Sequence, residues 1–298
     1  LNLRGTDVHC NPVFVSYLLL SSTDATLYVN PDKLTSQVVD YLKAEGVGVK
    51  PYEQVVKGLK DYFEYNILLD ADEVNYTLYQ AVSRQIVERE SPVKRMKAIK
   101  NEKEIAGFRS AMLKDGIAMV KFLKWLKPAV KAGGQTEVTI DRKLTALRAE
   151  QPLFRDISFD TIAGYEAHGA IVHYEANEAS AATLEPHGLL LLDSGAQYQD
   201  GTTDITRTIA LGPLTEEQRR VYTLVLKGHI DLQLLHFPDG ATGTQLDAIA
   251  RRPLWQAGLN YLHGTGHGVG SYLSVHEGSH QIRMEWKPTP LRAGMTVT

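Results

Sequence analysis

Leu189-Leu190-Leu191-Leu192-Asp193-Ser194-Gly195-Ala196-Gln197-Tyr198-Gln199-Asp200-Gly201-Thr202-Thr203-Asp204-Ile205-Thr206-Arg207-Thr208 decides how the second half of the chain folds. Four successive leucines read as a buried strand. They run straight into a carboxylate, whose desolvation calls for a cation or several donors. The β-branched run from Thr203 to Ala210 reads as a second strand, and Asp200-Gly201 is a turn pair. The expectation is an antiparallel hairpin carrying Asp193 and Asp204. A two-residue turn at Asp200-Gly201 sets Asp193 opposite Thr208 and leaves Asp204 four residues along the same face, too far to share an ion. A turn nearer Tyr198-Gln199, or a bulge, closes that gap. Taken singly, each aspartate also has an ordinary reading as a turn or capping residue.

A second stretch bears on the same chemistry: Tyr261-Leu-His263-Gly-Thr-Gly-His267-Gly-Val-Gly-Ser-Tyr-Leu-Ser-Val-His276-Glu-Gly278. Three imidazoles fall within 14 residues, interleaved with glycines that let the backbone approach a ligand. His173 adds a fourth, at the end of an expected strand from Ala170. His276-Glu277-Gly278-Ser279-His280 matches the H-E-x-x-H zinc pattern, which requires a helix to bring both imidazoles to one face. Gly278 and Ser279 are poor helix formers and no apolar helical stripe surrounds them, so the zincin reading is set aside.

Outward from these stretches, the first ninety or so residues alternate strand-like runs (13–21, 25–29, 66–69) with helical ones (34–42, 54–63, 74–87), which predicts an α/β domain over 1–92 with a parallel or mixed sheet. Pro92 and the basic residues Lys94, Arg95, Lys97 and Lys100 read as a solvated linker. Beyond them, 93–298 reads as an α+β domain. A long helix begins at Glu102 with a core stripe of Ile105, Phe108, Met112, Met119, Val120, Leu123 and Leu126. A second covers 136–148, and a third begins at Thr215, where Thr-Glu-Glu-Gln has capping-box spacing, and carries Val221, Leu224, Val225, Leu232 and Leu235. Strands are expected at 157–162, 170–173, 189–193 and 203–210, and in the histidine-rich stretch from Tyr261.

The 298 residues suffice for two domains, each with its own core. With 43% hydrophobic and 22% charged residues the composition is globular. A net charge of -3 with mixed signs gives no basic stripe for nucleic acid or anionic lipid, and no apolar run reaches membrane-spanning length. The single cysteine, Cys10, cannot form an internal disulfide, which suits a cytoplasmic setting. The abrupt first and last residues suggest a polypeptide cut at both ends.

The segments 193–208 and 263–270, with Asn2-Leu-Arg-Gly near the start and 222–230, resemble the cytosolic Xaa-Pro aminopeptidases (aminopeptidase P) of the pita-bread metallopeptidase family. The resemblance spans essentially the whole chain. It implies a creatinase-like middle domain followed by a pita-bread catalytic domain lacking its C-terminal part. It further implies that Asp193, Asp204 and His267 ligate two divalent ions, Mn²⁺ first, with Zn²⁺ or Co²⁺ as alternatives. His173 and His276 would serve the peptide carbonyl and His263 the proline side. The reaction implied is removal of the N-terminal residue before proline, by a hydroxide held between the two ions, in a cytoplasmic homodimer. Prolidase, which cleaves dipeptides, and a non-catalytic binding module of the same fold are the rival readings. The family's two remaining glutamate ligands have no counterpart here, since Glu277 and Glu285 do not lie in matching motifs. The chain alone is therefore expected to hold two metals poorly and to show little activity.

Overall fold

The computed structural model describes residues 1–298, which divide into two compact units: Leu1–Val8 with Val13–Lys94, and His9–Pro12 with Arg95–Thr298. In the first unit, β1 (Ser16–Leu20) pairs antiparallel with β2 (Ala25–Val29), and β2 pairs parallel with β3 (Val47–Pro51). Between them α1 (Ser36–Ala44) is started by Thr35, whose hydroxyl accepts from the Val38 amide. After α2 (Val55–Asp61), the short β4 (Ile67–Leu69) and β5 (Ile86–Glu88) form a parallel pair joined through α3 (Tyr76–Ala81). The sheet is thus mixed, and its two faces bury Leu27, Val29, Leu42 and Val47 on one side and Tyr28, Val55, Leu59 and Leu78 on the other.

Two expectations for this region need correction. The helix expected over 74–87 stops at Ala81, because Val82 turns extended and the β-branched Ile86 and Val87 find ladder partners in Ile67 and Leu68. The basic run is no free linker either. Pro92–Ala98 forms α4, opened by a proline whose fixed φ suits a first helical turn.

In the second unit, α5 (Glu102–Ala132) begins with a reciprocal Asn101–Glu104 capping box and packs on α6 (Glu137–Ala149). The strands are β6 (Phe154–Ile157), β7 (Ile162–Tyr165), β8 (Leu189–Ser194), β9 (Ala196–Tyr198), β10 (Gly201–Thr202) and β11 (Ile205–Ala210). They make two antiparallel sheets, β11-β8-β7 and β10-β9-β6. The α+β expectation holds for this unit. Its core joins Met119, Phe122, Leu126 and Val130 of α5, Ile140 and Leu144 of α6, and Leu190 and Leu192 of β8. Each fully buried leucine contributes about 1.5–3 kcal/mol.

The stripe on α5 lies partly elsewhere than expected. Met112, Val120 and Leu123 are exposed, while Ala111, Ala118, Met119, Phe122 and Leu126 are buried, so small alanines mark the true contact face. The expected strand over 157–162 is broken: Ile157 ends β6, Ile162 opens β7 and 158–161 form the loop between them, while of the expected strand over 170–173 the first residue closes a 3₁₀ turn over Glu166–Ala170 and the rest follow it. Helix α7 (Glu216–Gln233) starts at Thr215 with the anticipated capping box to Gln218, but Val225 on it is exposed. Helix α8 (Gly243–Gln256) had no counterpart in the sequence reading. The histidine-rich stretch contributes only β12 (Gly266–His267), paired with β13 (Gln281–Ile282).

Candidate metal centre

The alternation of β8 places Leu190, Leu192 and Ser194 in the core and turns Asp193 to the other, half-buried face. Thr206 lies opposite Asp193, and the same register continues to Tyr198 opposite Gly201, so the hairpin turns at Gln199-Asp200. That is one residue earlier than a turn at Asp200-Gly201. Asp204 is then only two residues along from the partner of Asp193, at the place where the hairpin passes from one sheet to the other: Gly195, Thr203 and Asp204 lie outside the ladders. There the strands crowd together. A Cβ on Gly195 would stand 2.0 Å from the Thr203 carbonyl oxygen and 2.2 Å from Ser158 Oγ. The result is that Asp204 comes within hydrogen-bonding reach of Asp193.

Two neighbouring charges on α5 fasten this hairpin. Lys114 Nζ donates to both carboxylate oxygens of Asp200 at 2.6 and 2.7 Å and stands 5.0 Å above the Tyr198 ring. Asp115, fully buried, accepts from Arg148 Nε of α6 at 2.8 Å and from the Thr203 hydroxyl. The sequence reading missed both. The signal was present, since Asp115 falls on the Ala111–Ala118–Met119 stripe and Arg148 one turn after Leu144, and a charge on an apolar stripe needs a partner.

His267 reaches the same place from β12. Its backbone pairs with Thr298, at 3.1 and 3.0 Å. Its Nδ1 lies 2.9 Å from the Gly268 carbonyl, so Nδ1 carries a proton, while Nε2 is turned to the site and stands 3.3 Å from Asp204 Oδ2. The His276 ring centroid is 4.2 Å from that of His267, tilted by 44°. His173 sits at φ +59°, a left-handed conformation rare for a side chain of this size, and is near enough to His276 to act on its charge. His263 does not join them. It is exposed, stacks on Tyr261 with centroids 4.8 Å apart, and Arg251 Nη2 donates to its carbonyl at 2.7 Å.

The H-E-x-x-H segment is irregular, with Gly278 at φ +103°. His280 is buried, with Nε2 2.8 Å from the Thr296 carbonyl. Glu277 faces Lys100 Nζ at 3.2 Å, and Lys97 Nζ stands 2.9 Å from its second oxygen as an ion pair without hydrogen-bond geometry.

Electrostatics fit a cation. Burial, followed by the Asp204 charge, pushes Asp193 up to about 6, against the 2.7 Å hydrogen bond from Thr206. Burial opposes a charged His267, yet the Asp204 carboxylate overrides it and raises the imidazole. Partial burial and the His267 charge push His276 down. Two crowded carboxylates and one imidazole with its Nδ1 proton fixed form a donor set suited to a divalent ion.

Residues 106–298 match the sequence model of metallopeptidase family M24, and residues 1–104 that of the creatinase/prolidase N-terminal domain. Xaa-Pro aminopeptidase 1 of Dictyostelium discoideum is 42% identical over 306 residues, covering 100% of this chain and 48% of its own. A crystal structure of X-prolyl aminopeptidase from Caenorhabditis elegans, described as a cytosolic enzyme with a di-nuclear active site, superposes with a TM-score of 0.93 at 35% identity, over 99% of this chain and 49% of that one. Xaa-Pro dipeptidase from Bacillus anthracis, at 23% identity and a TM-score of 0.77 over 95% of this chain and 78% of its own, shares the fold. The chain spans about half the length of the curated relatives it matches. With the family pattern covering its second unit from residue 106 to 298, and the paired aspartates and His267 gathered at one point, the chain belongs to metallopeptidase family M24.

Proposed function

We propose that the protein is a metal-dependent aminopeptidase releasing the N-terminal residue from peptides with proline in second position. The observation that carries this reading is the convergence of Asp193, Asp204 and His267 on one point, in a chain 42% identical to an Xaa-Pro aminopeptidase. Asp193, Asp204 and His267 would hold two divalent ions, Mn²⁺ first by the oxygen-rich donor set. When bound, these ions supply Lewis-acid polarisation of the peptide carbonyl. Thr206 orients Asp193 through its hydroxyl, and the Gly268 carbonyl keeps the His267 Nε2 lone pair directed at the ions. His276, held largely neutral at pH 7, donates an N–H to the carbonyl oxygen as charge develops there, with His173 beside it. His263 stands apart as a residue of the proline side. Proline lacks an amide hydrogen and has a fixed φ, so a pocket selects it by shape. The cytosolic setting of the nematode relative supports a cytoplasmic location, with a homodimer as the proposed assembly, and no helix is long and apolar enough to cross a membrane.

The test is the thermal unfolding of the wild type and of Asp204→Asn with and without Mn²⁺, together with cleavage of Arg-Pro-Pro and of Gly-Pro. Mn²⁺ at about 100 times its Kd should stabilise the wild type by about 2.7 kcal/mol, and Asp204→Asn should lose that gain. An equal Mn²⁺ effect on both proteins defeats the assignment. Cleavage of the dipeptide alone selects prolidase, whereas weak cleavage of Arg-Pro-Pro is the result expected of a chain with three of the ligands.

A further inference from the structure

A second group of metal-ligating side chains shares no residue with Asp193, Asp204 and His267. His9 Nε2 stands 2.9 Å from Asp160 Oδ1, and the Cys10 sulfur completes a set in which one donor atom from each residue lies within 4.8 Å of the others. Cys10 is 7% exposed and held at φ +60°, and Gln197 Nε2 of β9 donates to its carbonyl at 3.0 Å. The thiol therefore has a fixed position, whereas His9 and Asp160 are exposed and free to adjust. The three residues line an open cavity of about 360 Å³, whose wall also includes Ser274 and His276.

The chemistry of this set differs from that of the carboxylate pair. Thiolate, imidazole and carboxylate together favour a borderline-soft ion, and Zn²⁺ takes them at about 2.3, 2.0 and 2.1 Å in tetrahedral geometry. Donor atoms around such an ion lie roughly 3.5 Å apart, so His9 Nε2 and Asp160 Oδ1, now 2.9 Å from each other, need open only slightly while both close on the Cys10 sulfur by about 1 Å. Three protein ligands then leave one position open towards the cavity. We propose that His9, Cys10 and Asp160 form a zinc-class metal site. On binding, the S–H bond breaks, its proton leaves to solvent, and the sulfur lone pair goes to the ion; nothing is oxidised or reduced.

Cys10 is the only cysteine, so any thiolate–metal signal reports this site alone. Co²⁺ is the probe, titrated into the protein while near-ultraviolet absorption follows the thiolate-to-cobalt charge-transfer band. The band should reach one equivalent, disappear on adding Zn²⁺, be absent in Cys10→Ser, and need at least about tenfold more Co²⁺ in His9→Ala. It should persist in Asp204→Asn. No band at Co²⁺ concentrations that saturate the visible d–d absorption would overturn the proposal. A band with unchanged affinity in His9→Ala would do the same, since it would mean adventitious binding by the thiol alone.

Discussion

Residues 189–210 hold Asp193 within a strand ladder and Asp204 at the join between two ladders, whereas residues 261–298 hold His267 and His276 on a chain whose only strands are two residues long. In the hairpin, register places the carboxylates, and the α5 charges lock the register. In the histidine segment, side chains take over the work of the ladder. Arg251, fully buried and paired with Asp247 at 2.6 Å, donates to the carbonyls of Tyr261 and His263. Further along, Lys97 and Lys100 hold Glu277 beside His276. The difference teaches where a change will be felt: damage to the hairpin is damage to the core, while damage to the histidine segment falls on the site.

The largest effect should therefore come from Arg148→Met. It leaves Asp115 buried with only the Thr203 hydroxyl, and breaking such a pair costs about 3–5 kcal/mol. Chemical denaturation reads this directly. Pairing Arg148→Met with Asp115→Leu should recover most of the loss, because apolar replacement of a whole buried pair is often neutral. A loss below about 1 kcal/mol in the single variant would mean that α5 and α6 do not anchor the hairpin through this pair.

A smaller loss of stability with a larger effect on the site is expected for Glu277→Gln. Lys100 is buried, and removing its counter-charge should cost about 1–3 kcal/mol. The Mn²⁺-induced stabilisation should fall further than that of a hairpin surface variant, because Glu277 adjoins His276 in the chain and its backbone amide bonds to the Gly268 carbonyl, the group that also fixes His267 Nδ1. An unchanged Mn²⁺ effect would show that the segment is held without this ion pair.

The same contrast explains what could be read in advance. The leucine run, the two aspartates and the Thr215 cap were legible because they obey local periods and spacings. The turn at Gln199-Asp200 lies between the two positions the sequence offered, since Asp200-Gly201 is a good turn pair while long-range contacts with α5 favour the earlier turn: Lys114 holds Asp200, and a Cβ on Gly107 would stand 2.1 Å from the Asp200 carbonyl oxygen. His267 was legible as a ligand candidate from its glycine-rich surroundings, but its dependence on Thr298 and Asp204 was not, because those contacts cross 31 and 63 residues of chain. His173 was expected to follow a strand, yet a left-handed backbone conformation after a 3₁₀ turn sets its place.

The smallest effect on stability separates the two kinds of histidine. His263 offers Arg251 its carbonyl, not its imidazole, so His263→Ala keeps that bond and removes only an exposed ring stacked on Tyr261. Stability should change by no more than about 0.5 kcal/mol. The Mn²⁺ effect should also be unchanged, in contrast to Asp204→Asn. If His263 serves the proline side of the substrate, KM for Arg-Pro-Pro should rise with the metal effect intact, since losing a binding contact alone weakens uniform binding. A drop in Mn²⁺ affinity of about tenfold, or about 1.4 kcal/mol, would instead bring His263 into the cluster. The histidine segment would then have to rearrange around the ion while the hairpin stays fixed, and the contrast between the two regions would become one of motion as well as of construction.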